Sequence, residues 1–263
     1  MAVARAANVV GLVLAGSAGR YREFAPVAIL RPHFRCVWSN DLTLDPGSRL
    51  VVVPDGCVDL TWVDGRLLVA GPDVSAAIST FAYPTAVIGI RFRPGAASAW
   101  LGLPLSEIVG QRIDLGVFWG QRAAEISRRI GDAPTSDAKM QVLQAALCPI
   151  AADLDLPGSQ MEFVFDALKA GRAGSGMAAI LERLDVSNRS LRRHCHEAFG
   201  YGPKTLDRIL RFQRFLDLAK SQESRGLADL AFAAGYSDQA HLTREVRRLT
   251  GFTASALALR VAA

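Results

Sequence analysis

The sequence predicts an α+β fold: an N-terminal β-rich sandwich or barrel followed by helices, then an all-α C-terminal domain with two helix-turn-helix units joined by a long helix. Three observations carry this expectation. Between Pro32 and Phe92, short β-branched or aromatic runs alternate with turn residues. After Pro94, apolar residues recur three and four apart. Beyond Gly176, one arrangement of leucine, arginine and glycine occurs twice, 51 residues apart.

The first twenty residues, "MAVARAANVVGLVLAGSAGR", imitate a secretory signal, with Arg5, an apolar run and small residues from Ala15 to Ala18. The run falls short of the roughly 20 residues a bilayer span needs. Residues 1–20 therefore read as an N-terminal extension or first strand, with secretion as the minority reading. Cys36, Cys57, Cys148 and Cys195 lie far apart without a C-x-x-C pair, so neither a zinc framework nor a disulfide scaffold is indicated. Reduced thiols in a cytoplasmic protein are expected, with no cofactor and no membrane partner.

The strand readings are "FRCVW", "RLVVV", "CVDLTWV", "RLLVA" and "AVIGIRF". Asp64-Gly65 supplies the positive φ angles of a tight hairpin between two of them. Helices follow in "AASAWLG", "VFWGQRAAEISRRI" and "AKMQVLQAALC". Pro149 to Ser159 reads as a connection, and "AGRAGSG" at Ala170–Gly176 as a second break. The resulting division is a β-rich domain with trailing helices over 21–150, a connecting segment over 151–175 and a helical domain over 176–263.

Charge follows the same division. Residues 171–263 carry 15 Lys+Arg against 9 Asp+Glu, a balance of +6, whereas residues 1–170 balance at −1. A basic C-terminal third beside a near-neutral remainder points to a polyanionic partner for one domain only.

The helical third contains the duplicated pattern. "LADLAFAAG" places Leu227, Leu230, Ala231 and Ala234 on one face, with Gly235 as a positive-φ cap. Ser237 or Asp238 caps the next helix. Along it Leu242, Val246 and Leu249 cluster on one side, with Ala240, Arg244 and Arg247 opposite. The first unit repeats this plan, with Met177, Ile180, Leu181 and Leu184 preceding a helix that buries Leu191, Cys195 and Ala198 and exposes Arg189, Arg193 and His196. Between the units, Lys204 to about Ser221 reads as one helix of roughly 27 Å, comparable to the ~34 Å repeat of DNA. Two exposed basic helices at such a spacing suit successive major-groove segments of double-stranded DNA.

"SLRRHCHEAFGYGPKTL" and, more specifically, "LADLAFAAGYSDQAHLTREVRRLTGFT" make residues from about Gly176 to Leu257 similar to the DNA-binding domain of the AraC/XylS family of bacterial transcription regulators. The resemblance implies that Arg189, Arg192, Arg193, Gln239, His241 and Arg244 occupy or neighbour base-reading positions. His196 and Arg247 extend the same basic faces, and Lys204 and Arg208 are candidate phosphate contacts. Two departures stand out: Ala240 replaces a longer side chain that often reaches a base, and Ala254 and Leu257 interrupt the family's ending. "RPHFRCVW", "VVVPDGCVDLTW", "AGPD" and "GIRFRPGAASAWLGLPLSEI" resemble the effector domain of a poorly characterised subset of these regulators, implying a cupin-like sensor fold. A small-molecule effector, a homodimer and RNA polymerase are the further partners it suggests.

Within the sensor, Trp38, Asp59, Trp62 and Arg91 are the candidate ligand-binding residues. Arg91 and Arg93 share a face and suit an anion or a surface ion pair, while Trp38 and Trp62 suit a pocket or the core. Cys57 lies between Asp55 and Asp59 without a histidine beside it, which favours a small apolar group over a nucleophile. His194 and His196 diverge by about 200° on a helix, and no metal set is expected. A DNA-tethered enzyme of the repair-regulator kind, and a constitutive DNA-binding protein with a purely structural β-domain, stay open as alternatives.

Overall fold

Alternation of apolar and polar residues builds two facing sheets in the N-terminal part of the chain. The computed structural model describes residues 12–15, 18–43, 48–79, 85–171, 176–221 and 226–262. Its strands are β1 (Leu12–Leu14), β2 (Arg20–Phe24), β3 (Phe34–Leu42), β4 (Arg49–Val52), β5 (Asp59–Val63), β6 (Arg66–Ala70), β7 (Ala77–Ser79), β8 (Thr85–Phe92) and β9 (Arg112–Asp114). The larger sheet runs β2-β3-β8-β5-β6-β9 with antiparallel neighbours, and the smaller runs β1-β4-β7 with β1 parallel to β4. All five strand readings from the sequence form strands. The segment 1–20, expected as an extension or first strand, supplies β1 and begins β2; residues 1–11 lie outside the described residues. The β5–β6 hairpin turns on Asp64 at φ +50° and Gly65 at φ +76°, with Val63 opposite Arg66.

One face of the larger sheet is covered by helices. Leu60, Trp62, Ile88 and Ile90 pack with Trp100 of α1 (Ala97–Leu101), Ile126 and Ile130 of α3 (Gln121–Asp132), and Leu143 and Leu147 of α4 (Ser136–Asp153). A short α2 (Gly116–Trp119) precedes α3. The expected connection at Pro149 is a correction, because α4 continues through that proline to Asp153. A proline there removes one backbone hydrogen bond, and burial of Ala151 beyond it keeps the last turn against the core.

The remaining helices are α5 (Ser159–Ala170), α6 (Met177–Leu184), α7 (Asn188–Phe199), α8 (Pro203–Ser221), α9 (Leu227–Ala234), α10 (Gln239–Thr250) and α11 (Ala254–Ala262). Helix α5 occupies much of the segment read as a connector. Its Val164, Phe165 and Leu168 sit in the core of the C-terminal helices, an i, i+1, i+4 stripe that gives it a packing role. Phe212 and Phe215 of α8 lie at the centre of that core, fully buried. The departure after Gly251 is accommodated by Thr253, whose hydroxyl accepts from Ala256 N at 3.2 Å at the start of α11 while Ala254 and Leu257 are buried. Leu14 and Val51 belong to the same core, so the smaller sheet joins the two halves of the molecule.

Gly200 marks the tightest join. It ends α7 at φ +81°, and a β-carbon there would lie 2.6 Å from Val109 Cγ2, 2.9 Å from Leu105 O and 2.9 Å from Pro72 Cγ, all in the N-terminal half. Gly200→Ala is therefore expected to cost about 2–4 kcal/mol through left-handed strain and overpacking. Urea unfolding followed by circular dichroism checks this, and a variant as stable as the parent would contradict the assignment.

Candidate nucleic-acid interface and sensor cavity

Each helix-turn-helix unit is assembled by local capping chemistry. In the first, Asp185 closes α6 in the left-handed region at φ +51°, and the Ser187 hydroxyl accepts from Ser190 N at 3.1 Å to start α7. In the second, Gly235 closes α9 at φ +90°, and Asp238 Oδ1 accepts from His241 N at 2.6 Å to start α10. That backbone hydrogen bond lowers the pKa of Asp238 below the usual carboxylate range. Both α7 and α10 have 12 residues and both end on a left-handed glycine, Gly200 or Gly251. Leu191, Cys195 and Ala198 of α7 are buried, as are Leu242, Val246 and Leu249 of α10.

The opposite faces carry the predicted basic side chains. Arg189, Arg192, Arg193 and Lys204 are exposed in the first unit, with His196 half-buried. In the second, Gln239, Arg244 and Arg247 are exposed, and half-buried His241 is steadied by Ser237 Oγ at 3.1 Å and by the edge of Tyr236. Arg208 does not join them. Its Nε meets Glu245 Oε2 at 2.9 Å, tying α8 to α10 where both side chains are largely buried. Two further α8 arginines, unremarked in the sequence, repeat this role one turn apart. Arg211 bonds Asp207 at 2.6 Å and stacks over the Tyr236 ring, and Arg214 donates to Leu168 O at 2.5 Å and Ala234 O at 3.3 Å. Arg214 thus answers the terminal carbonyls of both α5 and α9, which lack partners in their own helices.

The C-terminal ends of both basic helices are held by the N-terminal half. Ala198 and Phe199 of α7 meet Gly95 and Leu105, and Ala76 N donates to Leu249 O of α10 at 2.6 Å. The arginines nearer the helix starts stay exposed.

A second site lies between the two sheets, a cavity of about 530 Å³. Of the expected ligand residues, Trp38, Asp59 and Arg91 line it. Trp62 does not, which is a correction. Its indole N–H donates to Ser127 O and Oγ, both at 3.1 Å, on the helix-covered face, and Lys139 sits over its ring. Alternation along β5 forces this, since Trp62 and Asp59 differ by three positions and point to opposite faces. On the cavity floor Arg91 holds Asp59 through two 3.0 Å hydrogen bonds and reaches Asp55 at 3.3 Å. Burial raises the Asp59 pKa in spite of this pairing. Arg93 instead pairs with Glu162 of α5.

The cavity also takes walls that the sequence reading did not foresee. Gln213, Leu216 and Lys220 of α8 and Val261 of α11 close one side, while Tyr21 and Glu23 of β2 close another. Gln213 Nε2 additionally donates to Pro54 O at 2.6 Å, next to Asp55. No group of three or more His, Cys, Asp or Glu side chains able to hold a metal ion occurs among the described residues. Among them, no helix is long and apolar enough to cross a membrane.

Residues 180–260 match the family model described as a helix-turn-helix domain, and residues 22–114 match a domain of unknown function, DUF6597. With its paired units on one long helix, the C-terminal region is an AraC-type helix-turn-helix domain. No curated protein matches the chain in sequence. Among solved structures, the chain is similar to ToxT from Vibrio cholerae bound to (E)-4-(8-methylnaphthalen-1-yl)but-3-enoic acid, at 10% identity and a TM-score of 0.46 over 86% of this chain and 97% of that one. An apo ToxT point variant gives 10% identity and a TM-score of 0.44 over 92% of this chain and 96% of that one.

Arg208→Ala is expected to lower stability by about 1–3 kcal/mol, because it leaves Glu245 largely buried without its cation. Lys204→Ala should change stability by less than about 0.5 kcal/mol. Denaturant titration of the two variants distinguishes the strut from the surface residue; equal effects would contradict the assignment.

Proposed function

We propose that this protein is a sequence-specific transcription regulator of the AraC type, with a cupin-like sensor domain that holds a small effector between its two sheets. The observation that carries the reading is the matched pair of capped helices, α7 and α10, each packed on the long helix α8 and presenting arginines outward. We place the sensor over about residues 18–153 and the DNA-binding domain, including α5, over 159–262. Arg189, Arg192 and Arg193 would face one major-groove segment, and Gln239, His241 and Arg244 the next, with His196, Lys204 and Arg247 on flanking phosphates. A homodimer and contact with RNA polymerase belong to the same reading, as does a bacterial cytoplasm.

Sensing follows from the cavity walls. An occupant would touch both the larger sheet and α8, the helix that spaces the two units. It would bias their arrangement only to the extent that it binds one arrangement more tightly than another. One observation weighs against a DNA-tethered enzyme. Burial pushes the thiols of Cys36 and Cys195 up to about 12, and raises Cys57 further with the Asp55 carboxylate adding to it. Buried thiols of this kind stay protonated at neutral pH and are poor nucleophiles.

Sequences selected from random DNA supply the operator for the test. On it, Arg193→Ala and Arg244→Ala are each expected to lose about 1–3 kcal/mol of discrimination against a scrambled site. Lys204→Ala should weaken both DNAs alike and reduce the salt slope by about one. Mobility-shift titrations at several salt concentrations read both effects; two arginine variants with unchanged preference would reject the assignment.

A further inference from the structure

The β2–β3 end of the cavity gathers a quartet of side chains with a chemistry of its own. Tyr21 and Glu23 on β2 stand directly opposite Asn40 and Trp38 on β3, and all four line the cavity. The Tyr21 hydroxyl donates to Glu23 Oε1 at 2.5 Å. The Tyr21 and Trp38 ring centroids are 5.8 Å apart with the planes tilted by 38°. Trp38 lies across Gly89, where a β-carbon would come within 2.4 Å of the indole. Only a glycine lets the ring lie so close to the sheet. Asn40 is 5% exposed, and its Oδ1 has no hydrogen-bond partner among the described residues.

The charges around this quartet favour one sign of ligand. Among the described residues the cavity is lined by four carboxylates, Glu23, Asp55, Asp59 and Asp217, and three cations, Arg91, Arg112 and Lys220. Arg91 is already engaged by Asp55 and Asp59, a triad with a net charge of −1, and Arg112 by Asp73. No ion pair to Glu23 forms among the described residues, and Lys220 sits on the exposed rim of α8 on the C-terminal wall. An anion entering the floor would have to pull Arg91 from two carboxylates. A cation meets the rings of Tyr21 and Trp38, a carboxylate and a buried acceptor, a combination that recognises an ammonium group. The Trp38 indole N–H, without a hydrogen-bond partner among the described residues, is left to a neutral acceptor on the same molecule or to water. Leu42, Leu50, Val63 and Val87 provide an aliphatic lining for the rest of the molecule.

We propose that the cavity binds a hydrophobic amine, protonated at neutral pH, with its ammonium among Tyr21, Glu23, Trp38 and Asn40 and its apolar body between the sheets. This rests on the sensor reading above and names the class of its effector. Tyr21 and Glu23 are exposed at the mouth, so the head group enters beside the edge strand and the chain extends toward Leu216 on α8.

Calorimetric titration of the full-length protein with octylamine, octanol and octanoate at pH 7 tests this with one chain length and three head groups. Octylamine is expected to bind about tenfold or more tighter than either of the others. Glu23→Gln should weaken octylamine about tenfold and leave octanol unchanged. Tyr21→Leu, at a position 41% exposed, should do the same to a smaller degree. Octanoate binding as tightly as octylamine would overturn the proposal, as would failure of all three to bind, or both variants binding the amine like the parent. Retained binding of the selected operator in the same preparation would confine such a failure to the ligand class and leave the regulator reading standing.

Discussion

Helix α8 is the constraint on which the rest of the molecule depends. Its fully buried Phe212 and Phe215 give both helix-turn-helix units a common core, and each unit is too small to bury its own apolar face without it. The same helix turns Gln213 and Leu216 toward the cavity between the sheets. One rod of 19 residues is therefore packed on one side by the units it spaces and on another by the sheets that flank the cavity. Any movement of α8 relative to the sheets has to be shared by both units, because close-packed side chains transmit displacement instead of absorbing it.

The arginines of this chain divide by what surrounds them. Those on the outer faces of α7 and α10 are exposed, so their charge remains available to a polyanion. Arg208, Arg211 and Arg214 occur at three-residue intervals on α8 and are consumed internally by a carboxylate, an aromatic face and helix-terminal carbonyls. The balance of +6 over the C-terminal third already subtracts Glu245 and Asp207, so of these three arginines only Arg214, whose partners are neutral carbonyls, is counted there and withheld from that surface. Composition counts side chains, whereas electrostatic steering depends on the unpaired ones.

The features legible in the sequence are those fixed by short-range rules. Hydrophobic spacing and the offset of 51 residues located both basic helices, with the second cap narrowed to Ser237 or Asp238, and Asp-Gly located the central hairpin. Features that depend on distant partners were not legible. Nothing local distinguishes Arg208 from Lys204, since the difference is Glu245, 37 residues away. Strand β2, "RYREF", carries too many charges to read as a strand, and it pairs only because β3 offers an open edge. Trp62 is a different case, because the alternation that placed Asp59 in the cavity already placed Trp62 on the other face. The proline at 149 and the helix at 159–170 were hidden by composition, with Pro and Gly outweighing the stripe of Val164, Phe165 and Leu168.

The ion cluster on the cavity floor ties the two halves of the argument together. Burying Arg91, Asp55 and Asp59 costs desolvation that a hydrophobic trio would avoid, so the cluster is a poor device for stability alone. Its position gives it another consequence. Asp55 follows Pro54, whose carbonyl accepts from Gln213 of α8, and Asp59 lies in the strand facing the cavity. The guanidinium of Arg91 therefore links the sheet, the loop that touches α8 and the space where an occupant would sit. Moving Asp55 relative to Arg91 changes the purchase of that loop on Gln213, and a molecule in the cavity would lie beside the same charges. The route from cavity to α8 is then a few ångströms of hydrogen-bonded side chain and backbone. Both helix-turn-helix units pack on the helix it reaches.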